Sequence, residues 1–278
     1  MGHELTDDEK EKYERLVKGA EQLSFDMDGI IGYHINNPRI KIAADMHTHT
    51  LASGHAYGTI REMAQAAAEK ELEILGISEH APGIPGTVDP IYFCNLKVVP
   101  RDLYGVRILF GSEINVLNDG SLSLEQKYID RLDYAIVGIH DLCYENAGVK
   151  KNTENLRKCM ENDKVFFVSH PDDDHNPLDY EMLVKAAKEL HVALEVNNSS
   201  LLKPDKRINC VENYKTMLSY CMEYGVPVII NSDAHDPSAV GKVNLAIDLL
   251  MEQGFDEELV LNADTERVLE FIGFSEQP

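Results

Sequence analysis

The chain has 278 residues, 44% of them apolar, enough for one large domain or two small ones with a packed core. No run approaches the roughly 18 uninterrupted apolar residues of a membrane helix, so no membrane span is expected. Its 48 acidic side chains against 26 basic ones give a formal charge of -22, which repels a nucleic-acid backbone. A nucleic-acid partner is therefore not expected. A small phosphorylated substrate stays compatible, because screening over about 8 to 10 Å lets a cationic pocket ignore distant charge.

The first residues, MGHELTDDEKEKYERL, are polar and acidic and lack the basic start and apolar core of a secretory signal, which points to a cytoplasmic location. Residues 1–38 read as an acidic helical extension, with Tyr13, Leu16 and Leu23 as apolar contacts and a turn at Asn36-Asn37-Pro38. Residues 39–278 read as one domain. Seven short apolar runs rich in β-branched residues follow in it, at 40–45, 73–78, 106–111, 134–139, 165–169, 192–196 and 226–231. Amphipathic stretches at 60–71, 178–190 and 211–224 separate several of them, and Gly225-Val226-Pro227 is a helix stop. The longest irregular stretch, 81–101, is rich in Pro and Gly and is expected to cover a site. The five cysteines are odd in number, widely spaced and free of any C-x-x-C pair, so they read as packing residues in a reducing compartment.

Strand and helix in alternation mean a parallel sheet, either open and doubly wound or closed. The polar residues decide between the two. Every run ends in residues able to bind a metal or a substrate: His47 and His49, then Glu79 and His80, Glu113, His140, His170, Asn197 and Asn198, and finally Asp233 and His235. An open sheet gathers ligands at one switch point, whereas a barrel brings all seven strand ends into one ring. A distorted, TIM-like (β/α)7 barrel is the predicted fold. One strand-end histidine is more often a packing residue than a ligand, but independent accidents at every strand end are implausible. Neutral imidazoles mixed with carboxylates suit zinc, manganese or iron, whereas calcium and magnesium favour oxygen alone.

The order His47-x-His49, His55 in H-A-Y, Glu79-His80, Glu113 in G-S-E, His140 in G-I-H, His170 in S-H-P and Asp233-Ala-His235 resembles the PHP (polymerase and histidinol phosphatase) superfamily. The H-A-Y, S-H-P and N-N-S-S segments look most like its YcdX-like phosphatase branch, and the resemblance runs from about residue 40 to 273. It implies the PHP fold and a site for three divalent ions, zinc first, with manganese and iron as alternatives. One ion would be held by His47, His49, Glu113 and Asp233, a second by Glu113, His140 and His170, and a third by His55, His80 and His235. It further implies that a hydroxide bridging two ions attacks the phosphorus of a small phosphate monoester, with Glu113 and Asp233 acting through that hydroxide. Tyr57, Arg101, Asn197, Asn198 and Arg207 are candidate substrate contacts, and Asp45 is a candidate for orienting His47 or His49. The alternatives are a histidinol-phosphate phosphatase or a nuclease of the same superfamily, an amidohydrolase, and a metal-binding regulatory module without turnover.

Overall fold

A computed structural model describes residues 40–274. All five residues of Ala44–Thr48 (β1) are buried. Ile60–Glu69 (α1) opens with a reciprocal capping box between Thr59 and Glu62, and Met63, Ala64 and Ala67 form its buried stripe. The alternation continues through Ile74–His80 (β2), Ile91–Cys94 (α2), Asp102–Leu103 (β3), Val106–Asn115 (β4), Gln126–Ile129 (α3) and Ala135–Gly138 (β5). Next come Val149–Met160 (α4), Val165–Val168 (β6), Tyr180–Leu190 (α5), Ala193–Asn197 (β7) and Asn198–Leu201 (α6). The last elements are Cys210–Tyr224 (α7), Val228–Asn231 (β8), Asn244–Glu252 (α8) and Thr265–Phe271 (α9). Gly225 ends α7 in the left-handed conformation that glycine adopts without strain.

Strands β1, β2, β4, β5, β6, β7 and β8 pair in that order, all parallel. β1 meets β8 through a single parallel bridge, Thr48 to Ala234, so the sheet is a nearly closed barrel of the predicted TIM-like class. Below that bridge the seam is closed by side chains. The Met46 N–H donates to Asn231 Oδ1 (2.9 Å). Asn262 Nδ2 donates to the Ala44 and Ile230 carbonyls (2.7 and 2.6 Å), and its Oδ1 accepts from the Ile230 N–H (3.1 Å). Buried backbone groups need partners, and here two asparagines supply what a continuous ladder would have given.

The lower barrel is filled by Ala44, Met46, Ile74, Leu109, Ile136, Phe167 and Ile229, with Leu261, Val268 and Ile272 packed in from the C-terminal segment. Tyr134 crosses this interior and donates its hydroxyl to the Met46 carbonyl (2.7 Å). A Cβ at Gly76 would stand 2.1 Å from that hydroxyl, and one at Gly111 would stand 2.6 Å from the ring, so both positions require glycine.

Local readings are corrected at the first strand and in the stretch 81–101. The first strand is Ala44–Thr48 and not 40–45, because pairing with β2 begins only at Ala44, after a bend at Ala43. The stretch 81–101 contains α2 and runs back from the mouth towards the start of β4. Its Ala81 N–H bonds the Glu113 carbonyl, while its Arg101 carbonyl receives the Ile108 N–H. It ends in a short hairpin, β3 antiparallel to β4, whose turn residues Tyr104 and Gly105 both have positive φ. The extension proposed for residues 1–38 lies outside the described residues. Cys159, Cys210 and Cys221 are buried, whereas Cys94 is exposed, and all five cysteines are free. Among the described residues no helix is long and apolar enough to cross a membrane.

The seam gives a stability prediction. Asn262→Ala strands two buried carbonyls and one N–H, which should cost about 2–3 kcal/mol in denaturant unfolding. A loss under about 0.5 kcal/mol would mean that water or backbone shifts close the seam equally well.

Candidate metal centre

The C-terminal ends of the strands bring the predicted ligands together. His47 lies within β1, where the register with β2 shifts between Asp45 and Thr48, an irregularity of the kind that re-aims side chains, and His49 lies just past the strand's end. Their Nε2 atoms face each other at 3.0 Å. Glu113, on β4, and Asp233, just beyond β8, complete this group. His47 Nε2 is 3.3 Å from Glu113 Oε2 and 3.6 Å from Asp233 Oδ1; the corresponding distances from His49 Nε2 are 3.6 and 3.3 Å. A tetrahedral ion with bonds of about 2.0–2.1 Å sets its ligand atoms about 3.3–3.4 Å apart, so these four atoms have first-row metal spacing.

Glu113 also faces a second set of rings. Its Oε1 lies 2.8 Å from His170 Nε2 and 3.3 Å from His140 Nε2, while His80 Nδ1 is 2.9 Å from Oε2. The Nδ1 atoms of His80 and His140 are buried and make no hydrogen bond, the state of a lone pair kept for a cation. Further out, His55 Nε2 and His235 Nε2 are 3.1 Å apart, and the His80 ring lies 4.9 Å from the His55 ring. Ligand atoms of three trios converge within 4.8 Å: His47, His49 and Glu113; His80, Glu113 and His140; and His49, His80 and His235. His80 therefore faces Glu113 as well as the outer pair it was expected to join, and His49 also converges with His80 and His235. His55 is exposed, at the rim.

The protonation states follow from burial and neighbours. Burial opposes a charge on Glu113 and on Asp233, yet His47 and the other imidazoles around them hold both carboxyls well below their usual range. Burial keeps His49 and His140 neutral, the ligand form of imidazole. Burial also disfavours a charge on His47, but Glu195, Glu113 and Asp233 outweigh it and raise its pKa, so an entering cation displaces a proton there.

Behind the ligands sits a carboxylate that sequence reading passed over. Glu195, in the middle of β7, accepts from His47 Nδ1 (2.7 Å), Asn231 Nδ2 (2.9 Å), the His170 N–H (2.8 Å) and Asn197 Nδ2 (3.0 Å). It holds the Nδ1 proton of His47 and leaves Nε2 as the atom turned to the other ligands. Its signal was a lone acid in the otherwise apolar strand ALEVN, which no fully buried strand carries without partners. Ser53 does the same for His49, accepting from Nδ1 (3.0 Å) and donating to Glu79 (2.6 Å), which also takes the Thr50 N–H. Asp45 does not orient an imidazole. Its carboxylate accepts from the Ser232 hydroxyl and N–H and the Gly241 N–H, and it pins the loop after β8.

The five expected substrate contacts divide. Arg207 lies at the mouth, Nη1 3.2 Å from Asp172 and 3.4 Å from His170 Nδ1. Asn197 caps α6 and donates to Glu195 and Asp233 (3.0 and 3.3 Å), which makes it a brace for the ligands. Asn198 borders the mouth but spends its oxygen on the Leu245 and Ala246 N–H groups at the start of α8. Arg101 is remote from the cluster, paired with Asp133 and stacked on Phe110. Tyr57 is 75% exposed and does not line the mouth. His170 and Asp233 both have positive φ (30° and 53°), strain of a kind that collects at functional positions.

The PHP domain model matches residues 45–230, and a PHP-associated model matches 214–263. A probable phosphatase of Acetivibrio thermocellus is 38% identical over 234 residues, covering 84% of this chain and 96% of the relative. One of Caldicellulosiruptor saccharolyticus is 36% identical over 233 residues, covering 83% and 96%. Among solved structures, histidinol phosphate phosphatase of Lactococcus lactis, complexed with zinc, L-histidinol and phosphate, superposes with a TM-score of 0.57. That superposition has 16% identity and covers 78% of this chain and 95% of the other, a likeness of fold. The strand-end cluster and these matches together identify the chain as a member of the PHP-domain family.

Proposed function

We propose that this protein is a metal-dependent phosphatase that hydrolyses small phosphate monoesters at a centre of three divalent ions. The observation that carries the reading is Glu113, whose two oxygens face separate sets of imidazole nitrogens, as a carboxylate shared between ions must. The donor set fits such ions. It combines neutral imidazoles, two carboxylates held ionised, and buried ring nitrogens without hydrogen bonds. One ion would take His47, His49, Glu113 and Asp233, a second Glu113, His140 and His170, and a third His55, His80 and His235. Zinc is the first choice, on the donor set and on the zinc named with the Lactococcus phosphatase. The probable phosphatases among the relatives support the same activity.

Bound divalent ions supply a water of lowered pKa and neutralise charge on the phosphoryl oxygens. The chain's own residues prepare that chemistry. Glu195 holds the Nδ1 proton of His47, and Ser53 with Glu79 holds that of His49, so the Nε2 atoms of both rings are oriented before any ion arrives. Arg207, anchored by Asp172, presents its guanidinium to the mouth as a donor to a phosphate oxygen. Buried walls around Glu113 and Asp233 exclude bulk water and strengthen every interaction with a bound anion.

Glu113→Gln keeps the shape and removes the shared charge. Bound metal by elemental analysis and hydrolysis of a chromogenic phosphate ester should fall together, and retained turnover with two or more bound ions would contradict the assignment. His55→Ala should lower metal content by about one ion per chain, so an unchanged count rejects that ligand. Glu195→Gln places an amide where several donors converge. It should weaken metal affinity in chelator competition about 10- to 100-fold, and unaltered affinity would show that His47 needs no anionic partner.

A further inference from the structure

The space above the cluster is larger than one phosphate requires. Two chambers open from the mouth, of about 460 and 320 Å³, in the size range of whole small-molecule ligands. They share His55, His80, His140, His170 and Arg207, and only the larger one reaches Glu113 and Asp233. Two ammonium groups stand in the wall of that larger chamber. Lys203 comes from the loop after α6, and Lys242 from the loop before α8.

Neither makes an ion pair among the described residues, although the charge of Lys242 is felt by Asp236. Lys203 Nζ donates to the Ser199 hydroxyl (2.7 Å), an uncharged partner. Lys242 makes no side-chain hydrogen bond or ion pair among the described residues, although Asp236 lines the same wall. Asp236 uses its carboxylate to cap Ser238 instead (2.9 Å). Lys70 is near enough to feel the charge of Lys242 and is itself spent on the Ser238 and Val240 carbonyls. In a chain with 48 acidic side chains, two lysines at the mouth without an ion pair among the described residues are more than the reacting phosphate needs, since the proposed ions and Arg207 already serve it.

We infer that the substrate carries a second anionic group, phosphate or carboxylate, which Lys203 and Lys242 hold while the scissile phosphate lies over Glu113 and Asp233. This rests on the phosphatase reading above. The second charge is part of the leaving alcohol, and it selects among phosphomonoesters without entering the chemistry. The two lysines offset the repulsion that a chain of charge -22 imposes on a polyanion.

An isosteric series tests this with the metal-loaded protein: phenyl phosphate, 4-carboxyphenyl phosphate and 4-phosphonophenyl phosphate, followed by phosphate release. The two anionic esters should exceed phenyl phosphate in kcat/KM by about tenfold, and Lys203→Ala/Lys242→Ala should bring that ratio close to one. The better of the two identifies the second group as phosphate or carboxylate. Equal rates for all three esters overturn the inference while leaving the phosphatase reading intact, and so does an equal loss on all three in the double variant. No hydrolysis of phenyl phosphate with any of the three metals would instead sink the phosphatase reading itself.

Discussion

A carboxylate buried among imidazoles, with no cationic side chain of its own, is the constraint on which this barrel's upper half depends. Glu113 is 1% exposed and Asp233 lies beside it, and an unpaired buried charge costs several kcal/mol. Their neighbours within ion-pair reach are histidines, which neutralise them only by taking up protons. Metal ions solve the same problem with more charge and leave the imidazoles neutral. The other buried acids show the contrast: Glu195, Glu79 and Asp45 are each surrounded by hydroxyl, amide or ring donors and need no ion.

The packing below makes this arrangement rigid. Tyr134, seated on Gly76 and Gly111, ties the barrel interior to the Met46 carbonyl one residue before His47. Glu195 links His47, the backbone of His170 and the amides of Asn197 and Asn231, so four strand ends share one acceptor. Backbone strain at His170 and Asp233 is tolerable because these bonds over-determine both positions.

Much of this was legible in the residues. Alternating runs gave a parallel sheet, and polar residues at every strand end argued for closure, which the β1 to β8 contacts bear out. The resemblance carried the ligand order, and the nine residues it named do gather in one mouth. What sequence did not reveal has physical reasons. Glu195 lay inside an apolar strand, where periodicity sees only burial. Asn231 and Asn262 act through contacts remote in the chain, so their role in closing the barrel leaves no local pattern. Arg101 and Tyr57 were chosen for chemistry alone, and position overruled it: Asp133 claims the arginine at the far end of the barrel, and the tyrosine projects into solvent.

Asn231 belongs to two systems at once. Its oxygen receives the Met46 N–H across the seam, and its nitrogen donates to Glu195 behind His47. Loosening the joint between the first and last strands therefore tilts a ligand ring, and a bound ion resists that loosening by mass action. If the proposed ions bind there, heat resistance in this fold would become a gauge of ion supply, and a cell short of the metal would hold a protein whose architecture, and not just its turnover, has slackened.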